Sequence, residues 1–311
     1  MTASIHTSVC SACLSVSTLS STHLPERKGA TTVRAHRTLT HRTVLVSAVL
    51  ALVLTAPASA VASKRLIIDG STSMLPLVEK LSTAYHKTFP KIPAPKVGGG
   101  QTDIGINDVA GGRVDIGDAS RDPIPGQDPK GLVFSKIARD GICVITNTAN
   151  PLPNLTQETV QGIFTGDIRN WSQVPGSSLS GPIDLFDREA VSGTQDAFQD
   201  IFLGETLRIS PSATQETSEG TEVNAVGGDD NAIGFTSFAA TLTGGVHTVD
   251  YQGIPCTLAN AKSGQYAGVR NFWMVTKGRP KGEAAKFIDW ITKPGNLTVR
   301  KIVSSEWIAI H

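Results

Sequence analysis

Beyond the first 60 or so residues, short apolar runs alternate with stretches whose apolar residues recur every three or four positions. RLIIDG (65–70), VDIGDAS (114–120), LVFSKIA (132–138), GICVITN (141–147), PIDLFDR (182–188) and AIGFTSF (232–238) read as buried strands. LPLVEKLSTAYHKTF (75–89), LTQETVQGIF (155–164), TQDAFQDIFL (194–203), GEAAKFIDWIT (282–292) and GINDVAGG (105–112) read as helices. This alternation predicts an α/β fold with largely parallel sheets. Such sheets bind ligands outside the carboxyl ends of their strands, so the residues that follow each strand carry most of the functional information.

Four of these junctions share one chemistry. In DGSTSMLPLVEK (69–80) a strand ends and Ser71, Thr72 and Ser73 precede a helical stripe, with Pro76 in the first turn. In VGGGQTDIGIND (97–108) three glycines lead to Thr102 and Asp103 at the start of a short helix. GDASRDP (117–123) offers Ser120, Arg121 and Asp122 after a strand. In REAVSGTQDAF (188–198) Arg188 stands just past a strand end, and Ser192, Gly193 and Thr194 open the next helix. A hydroxyl before a helix is usually only a cap. Recurrence at several strand ends, with two arginines, points instead to a site for an anion.

The first 60 residues differ from the rest. They hold Arg27, Lys28, Arg34, Arg37 and Arg42 against Glu26, then the uncharged run TVLVSAVLALVLTA (43–56) and small residues at Ala58-Ser59-Ala60 or Ala60-Val61-Ala62. This is the layout of a cleaved signal peptide, and the apolar run is short for a membrane span. The long basic region suggests a true start near Val33, which leaves Cys10 and Cys13 without a role. Five of the 28 basic and one of the 27 acidic residues lie in this leader, so the mature chain carries a net charge of −3. Bulk charge therefore argues against a nucleic-acid partner. Export permits a bridge between Cys143 and Cys256, although the apolar run GICVIT suits a buried thiol.

The ordered set GSTS-x-x-P-L, GGG-x-x-x-G-I, VDIG-x-x-SR, DGI-x-V, IFTG-x-I-x-NW and R-x-x-x-SGT resembles the periplasmic phosphate-binding proteins of phosphate ABC transporters, the PstS family. AIGF, AKSG (261–264) and VTKG (275–278) fit the same pattern, so the resemblance spans nearly all of the mature chain. It implies a type II periplasmic-binding fold, with two α/β lobes hinged around an anion cleft. Lobe one would be 63–144 plus 240–311, and lobe two 145–239. It further implies Thr72, Ser73, Thr102, Ser120 and Arg121 as phosphate contacts of the first lobe, and Arg188, Ser192, Gly193 and Thr194 as the clamp of the second. Thr102 departs from the serine usual there.

Phosphate near neutral pH keeps at least one P–OH, whereas sulfate has none. Telling them apart calls for an acceptor; Asp103 and Asp122 are both candidates, and Asp69 is a third that reads rather as a structural end-of-strand acid. The expected protein is a periplasmic or secreted monomer, without cofactor or metal, that binds phosphate and delivers it to a membrane permease. A binder of sulfate, molybdate or tungstate is the alternative, since a basic clamp suits any tetrahedral dianion. An exported hydrolase needs a nucleophile with a base, or a metal cluster. His86 and His247 fall outside the junctions, no H-x-x-x-H or paired-carboxylate spacing appears, and Ser192 lacks the G-x-S-x-G context.

Overall fold

A computed structural model describes residues 64–310; the leader, its cleavage site, Val33 and Cys10 and Cys13 lie outside the described residues. The order is β1 (Ile67–Gly70), α1 (Leu75–Thr88), β2 (Lys96–Val97), α2 (Thr102–Gly111), β3 (Ile116–Ala119), β4 (Leu132–Asn147), β5 (Asn154–Leu155) and α3 (Gln157–Thr165). Next come β6 (Asp184–Arg188), α4 (Gly193–Phe198), β7 (Thr214–Glu216), α5 (Glu219–Gly227), β8 (Ala232–Ser237) and α6 (Phe238–Thr241). The chain ends with β9 (Val246–Thr248), β10 (Asp250–Tyr251), α7 (Leu258–Ser263), β11 (Val269–Lys277), α8 (Gly282–Thr292) and α9 (Leu297–Glu306).

The main sheet runs β2-β1-β3-β11-β4-β8-β6-β7, with β9 added to β4. β1 pairs in parallel with β2 and β3, and β6 with β7 and β8. LVFSKIA and GICVITN, read above as two strands, form the single 16-residue β4. Its first part pairs with β11 and its second with β8 and β9, and this continuous pairing carries the backbone straight through Gly141. β4 thereby crosses between two apolar cores. One holds Ile68, Leu77, Val78, Leu81, Tyr85 and Phe287, where the stripe of α1 meets α8. The other holds Phe164, Trp171, Phe198, Phe202 and Phe235.

β9, β10 and α7 pack with the second core: β10 pairs with β5, and Val249, Tyr251, Ala261 and Tyr266 are buried there. A boundary at residue 240 would instead assign them to the first. Cys143 and Cys256 form a disulfide in the same core, spanning 113 residues. The apolar run around Cys143 thus buries a bridged cysteine, not a free thiol.

β11, α5 and α9 were not legible as elements. Arg270 and Asn271 interrupt the apolar run of β11, and α5 opens with carboxylates that look like a solvated face.

Candidate functional site

Because β1, β2 and β3 run in parallel, their carboxyl ends deliver Ser71–Ser73, Thr102 and Ser120 to one edge of the sheet. The carboxyl end of β6 delivers Arg188 and α4, and that of β7 delivers Glu219. The two groups meet. Thr102 Oγ1 lies 3.3 Å from Ser120 Oγ and accepts the Ser120 N–H at 3.2 Å. Gly193 sits directly over this pair, and a Cβ added there would stand 2.5 Å from Thr102 Oγ1 and 2.8 Å from Ser120 Oγ. Ser73 Oγ approaches Thr194 Oγ1 at 3.5 Å. The Arg188 guanidinium donates to Thr72 Oγ1 at 3.3 Å, and the Asp103 N–H to the Val191 carbonyl at 3.1 Å. Ser73, Thr102, Ser120, Arg188, Ser192 and Thr194 are all buried.

Local conformation prepares these contacts. Gly70, at φ +151°, lets the end of β1 lie against Asp118, where a side chain would collide with the Asp118 carbonyl. The glycine loop folds around Asp69, whose Oδ1 accepts the N–H groups of Gly70 and Gly100 at 2.8 Å each. Its glycines therefore serve the loop's own closure and not a guest. Gln101 caps α2 at φ 77°, a strained setting for a residue with a side chain, and its amide bonds Glu189 across the crevice. Ser192 Oγ accepts the N–H groups of Thr194 and Gln195, so this hydroxyl caps α4.

Beneath the hydroxyls lies a charged network that the sequence did not reveal. Glu219 Oε1 accepts from Thr194 Oγ1 at 2.6 Å and from Arg188 Nη1 at 3.1 Å. Its Oε2 accepts from Thr236 Oγ1 and from the Ser237 N–H. Burial alone would push this carboxyl up; Arg188, Arg270 and these hydrogen bonds outweigh it and hold the group at about 2. Arg270 donates to Thr194 Oγ1 at 2.7 Å through Nη1, and to Asp140 Oδ2 at 3.1 and 2.9 Å through Nε and Nη2. Burial raises Asp140 to about 6 despite Arg270. Asp118 is fully buried, neither carboxyl oxygen has a hydrogen-bond partner, and burial drives it well above the usual carboxylate range.

Three residues singled out from the sequence are placed differently. Arg121 is buried, but its donors are spent on Asp103 Oδ1, on Asp128 and on the Asp122 carbonyl, so no part of the fork is left for a guest. Asp103 is held by that arginine beside a shallow depression shared with Asn107, Gln127 and Asp128. Asp122 is exposed, and its Oδ1 accepts from Asn271 Nδ2 at 2.8 Å and Trp273 Nε1 at 2.9 Å. The Arg121 Nε–Asp196 Oδ2 distance is 2.9 Å, yet that oxygen makes no hydrogen bond, because the Nε–H points at Asp103. Arg270, Glu219 and Asp140 take the place of these three as the charged groups of the site. Asp140 opens the DGI-x-V motif but has no role assigned to it there, and no sequence signal marked Arg270 or Glu219, since each looks like an ordinary surface charge until it is buried.

A family profile described as a PBP superfamily domain matches residues 55–294. The phosphate-binding protein PstS of Bacillus subtilis is 27% identical over 232 residues, covering 74% of this chain and 76% of that protein. PstS 2 of Streptococcus agalactiae is 36% identical over 114 residues, 37% of this chain, and the match spans 39% of the length of that relative. Among solved structures, a putative phosphate ABC transporter substrate-binding protein from Clostridium perfringens with bound phosphate superposes with a TM-score of 0.72 at 31% identity. That match covers 80% of this chain and 100% of the other. An ABC-type phosphate transport receptor from Vibrio cholerae gives a TM-score of 0.63 at 26% identity, covering 78% and 99%.

Proposed function

The chain belongs to the PstS family of phosphate-binding proteins within the PBP superfamily, and from that premise we propose that it is an extracytoplasmic receptor that captures inorganic phosphate for an ABC-type importer. The observation that carries this reading is the meeting of two sets of strand ends. Hydroxyls of Thr72, Ser73, Thr102, Ser120 and Thr194 gather with the Arg188 guanidinium, and Gly193 is the only residue type that lets α4 close over them. Donors held in place by a folded scaffold bind an oxyanion with little reorganisation. Charge-assisted hydrogen bonds contribute roughly 1.5–3 kcal/mol each, and a micromolar complex needs about 8 kcal/mol, so a handful suffices.

The finer reading is a monomer acting in the periplasm after loss of residues 1–60, without covalent chemistry, cofactor or metal. Its lobes hinge at β4 and again before β11. The first lobe takes 64 to about 140 together with the chain from β11 onward, and the second the residues between; most of the two apolar cores divides in the same way, with Ile308 and Val269 reaching into the second and Ala239 into the first. Thr72, Ser73, Thr102, Ser120, Arg188, Gly193 and Thr194 form the contact set, with Ser192 supporting the clamp as its cap. Calorimetric titration of the purified protein, freed of bound anion, tests the reading. One-to-one phosphate binding with a weak sulfate response is expected. Preference for sulfate or molybdate would keep the clamp and change the substrate, and indifference to every oxyanion would refute the proposal.

A further inference from the structure

We propose that the Thr194 hydroxyl accepts the hydrogen bond donated by the P–OH of bound hydrogen phosphate, and that Glu219 and Arg270 are positioning residues that hold it in this role; the inference rests on the phosphate reading above. A hydroxyl has one proton and two lone pairs. Glu219 Oε1 lies 2.6 Å from Thr194 Oγ1. With four donors around it, this carboxylate is ionised and can only accept. The Thr194 proton is therefore committed to Glu219. On another side, Arg270 Nη1 stands 2.7 Å away, and a guanidinium can only donate, so one lone pair is used as well. Asp140 clamps the rest of that guanidinium and prevents it from turning aside.

One lone pair remains. Ser73 Oγ, at 3.5 Å across the crevice, is too far for a strong bond to it and is itself paired with Ser71 Oγ at 2.8 Å. At the mouth of the Ser73–Thr194 approach Thr194 thus presents an acceptor, although a threonine in such a place would ordinarily be counted as a donor. A P–OH satisfies it. An unprotonated oxygen of sulfate would meet it lone pair to lone pair and leave both unpaired. The carboxylates expected to do this work are engaged elsewhere: Asp103 by Arg121, and Asp122 by Asn271 and Trp273. Asp118, buried with two unpartnered oxygens, is the competing acceptor and belongs in the test.

The experiment titrates phosphate, sulfate and monofluorophosphate into the wild type and into Thr194→Val, Thr194→Ser, Glu219→Gln and Asp118→Asn. Monofluorophosphate is a tetrahedral dianion with fluorine in place of the hydroxyl. The wild type should prefer phosphate. In Thr194→Val phosphate should weaken by about tenfold or more, while monofluorophosphate and sulfate hold or tighten, which also shows that the variant is folded. Thr194→Ser should keep the wild-type preference. Should the valine variant fail to fold, Glu219→Gln still decides: its amide can donate to Thr194 and release the hydroxyl proton toward the crevice, so the preference for phosphate should shrink. Parallel weakening of all three anions in Thr194→Val, an unchanged preference in both Thr194→Val and Glu219→Gln, or loss of preference in Asp118→Asn alone would each overturn the assignment. In those cases the wild type still binds phosphate and the functional reading stands. Failure of the wild type to bind phosphate overturns both.

Discussion

Replacing Gly193 by alanine should weaken phosphate binding without disturbing the helix it begins. The backbone at Gly193 is not in the left-handed region, so alanine is allowed there, and alanine suits a helix better than glycine. The obstacle is space. The new Cβ would stand 2.5 Å from Thr102 Oγ1, 2.8 Å from Ser120 Oγ and 3.0 Å from Thr102 Cβ. The first two belong to side chains that can rotate, but Thr102 Cβ moves only with the backbone of α2. Relief requires α4 to draw back from α2 and from the end of β3, which opens the crevice. Overpacking of this kind costs about 1–3 kcal/mol, which corresponds to a Kd raised about 5- to 150-fold. Gly220→Ala is the control: it lies in the first turn of α5, and its added Cβ would meet nothing nearer than Ser218 Oγ at 3.9 Å. Calorimetry with phosphate, beside thermal unfolding of the same samples, reads both. A Gly193→Ala protein that binds within twofold of wild type would refute the claim that α4 closes against Thr102 and Ser120.

Two further perturbations test the frame around the site. Asp196 sits among Arg121, Asp103, Asp128 and Asp200, and burial first of all raises it from 3.8 to about 7. A raised folded pKa gives stability that is complete below 3.8 and lost as pH climbs through about 7; Asp196→Asn should therefore stabilise the protein at pH 8 by about 1–3 kcal/mol after allowance for partial solvent exposure, with little gain at pH 4, and equal urea midpoints at both pH values would refute it. Removing the Cys143–Cys256 bridge by the double serine variant or by reduction frees a 113-residue loop and should cost about 2–5 kcal/mol, read as a lower denaturant midpoint; no shift would mean that the second core holds without it.

Much of the fold was legible because its signals are local. The 3.6-residue stripe of α1, its early Pro76 and the stripe of α8 are decided within a turn or two of chain, and α8 spans the expected 282–292. Strand β11 failed for an equally physical reason. Periodicity counts Arg270 as polar and therefore exposed, and it has no means of knowing that Asp140, 130 residues earlier, lies beside it. The same holds for α5, where buried Glu219 and Glu222 look like solvated charges.

The alternation of strands and helices, the strand-end positions of Thr72, Ser73, Thr102, Ser120, Arg188 and Thr194, and the resemblance to an anion-binding family could all be read from the chain alone. Capping, glycine geometry and hydrophobic period are properties of neighbouring residues, and they survive without the rest of the chain. Which charges face the crevice depends on the folded arrangement. Arg121 is consumed by its acidic neighbours, Asp122 turns to Asn271 and Trp273, and Arg270 with Glu219 takes the inner positions. That choice follows from strand register, which sets partners across long loops. A buried charge is stable only with the partner that register supplies, and the order of residues along the chain does not name it.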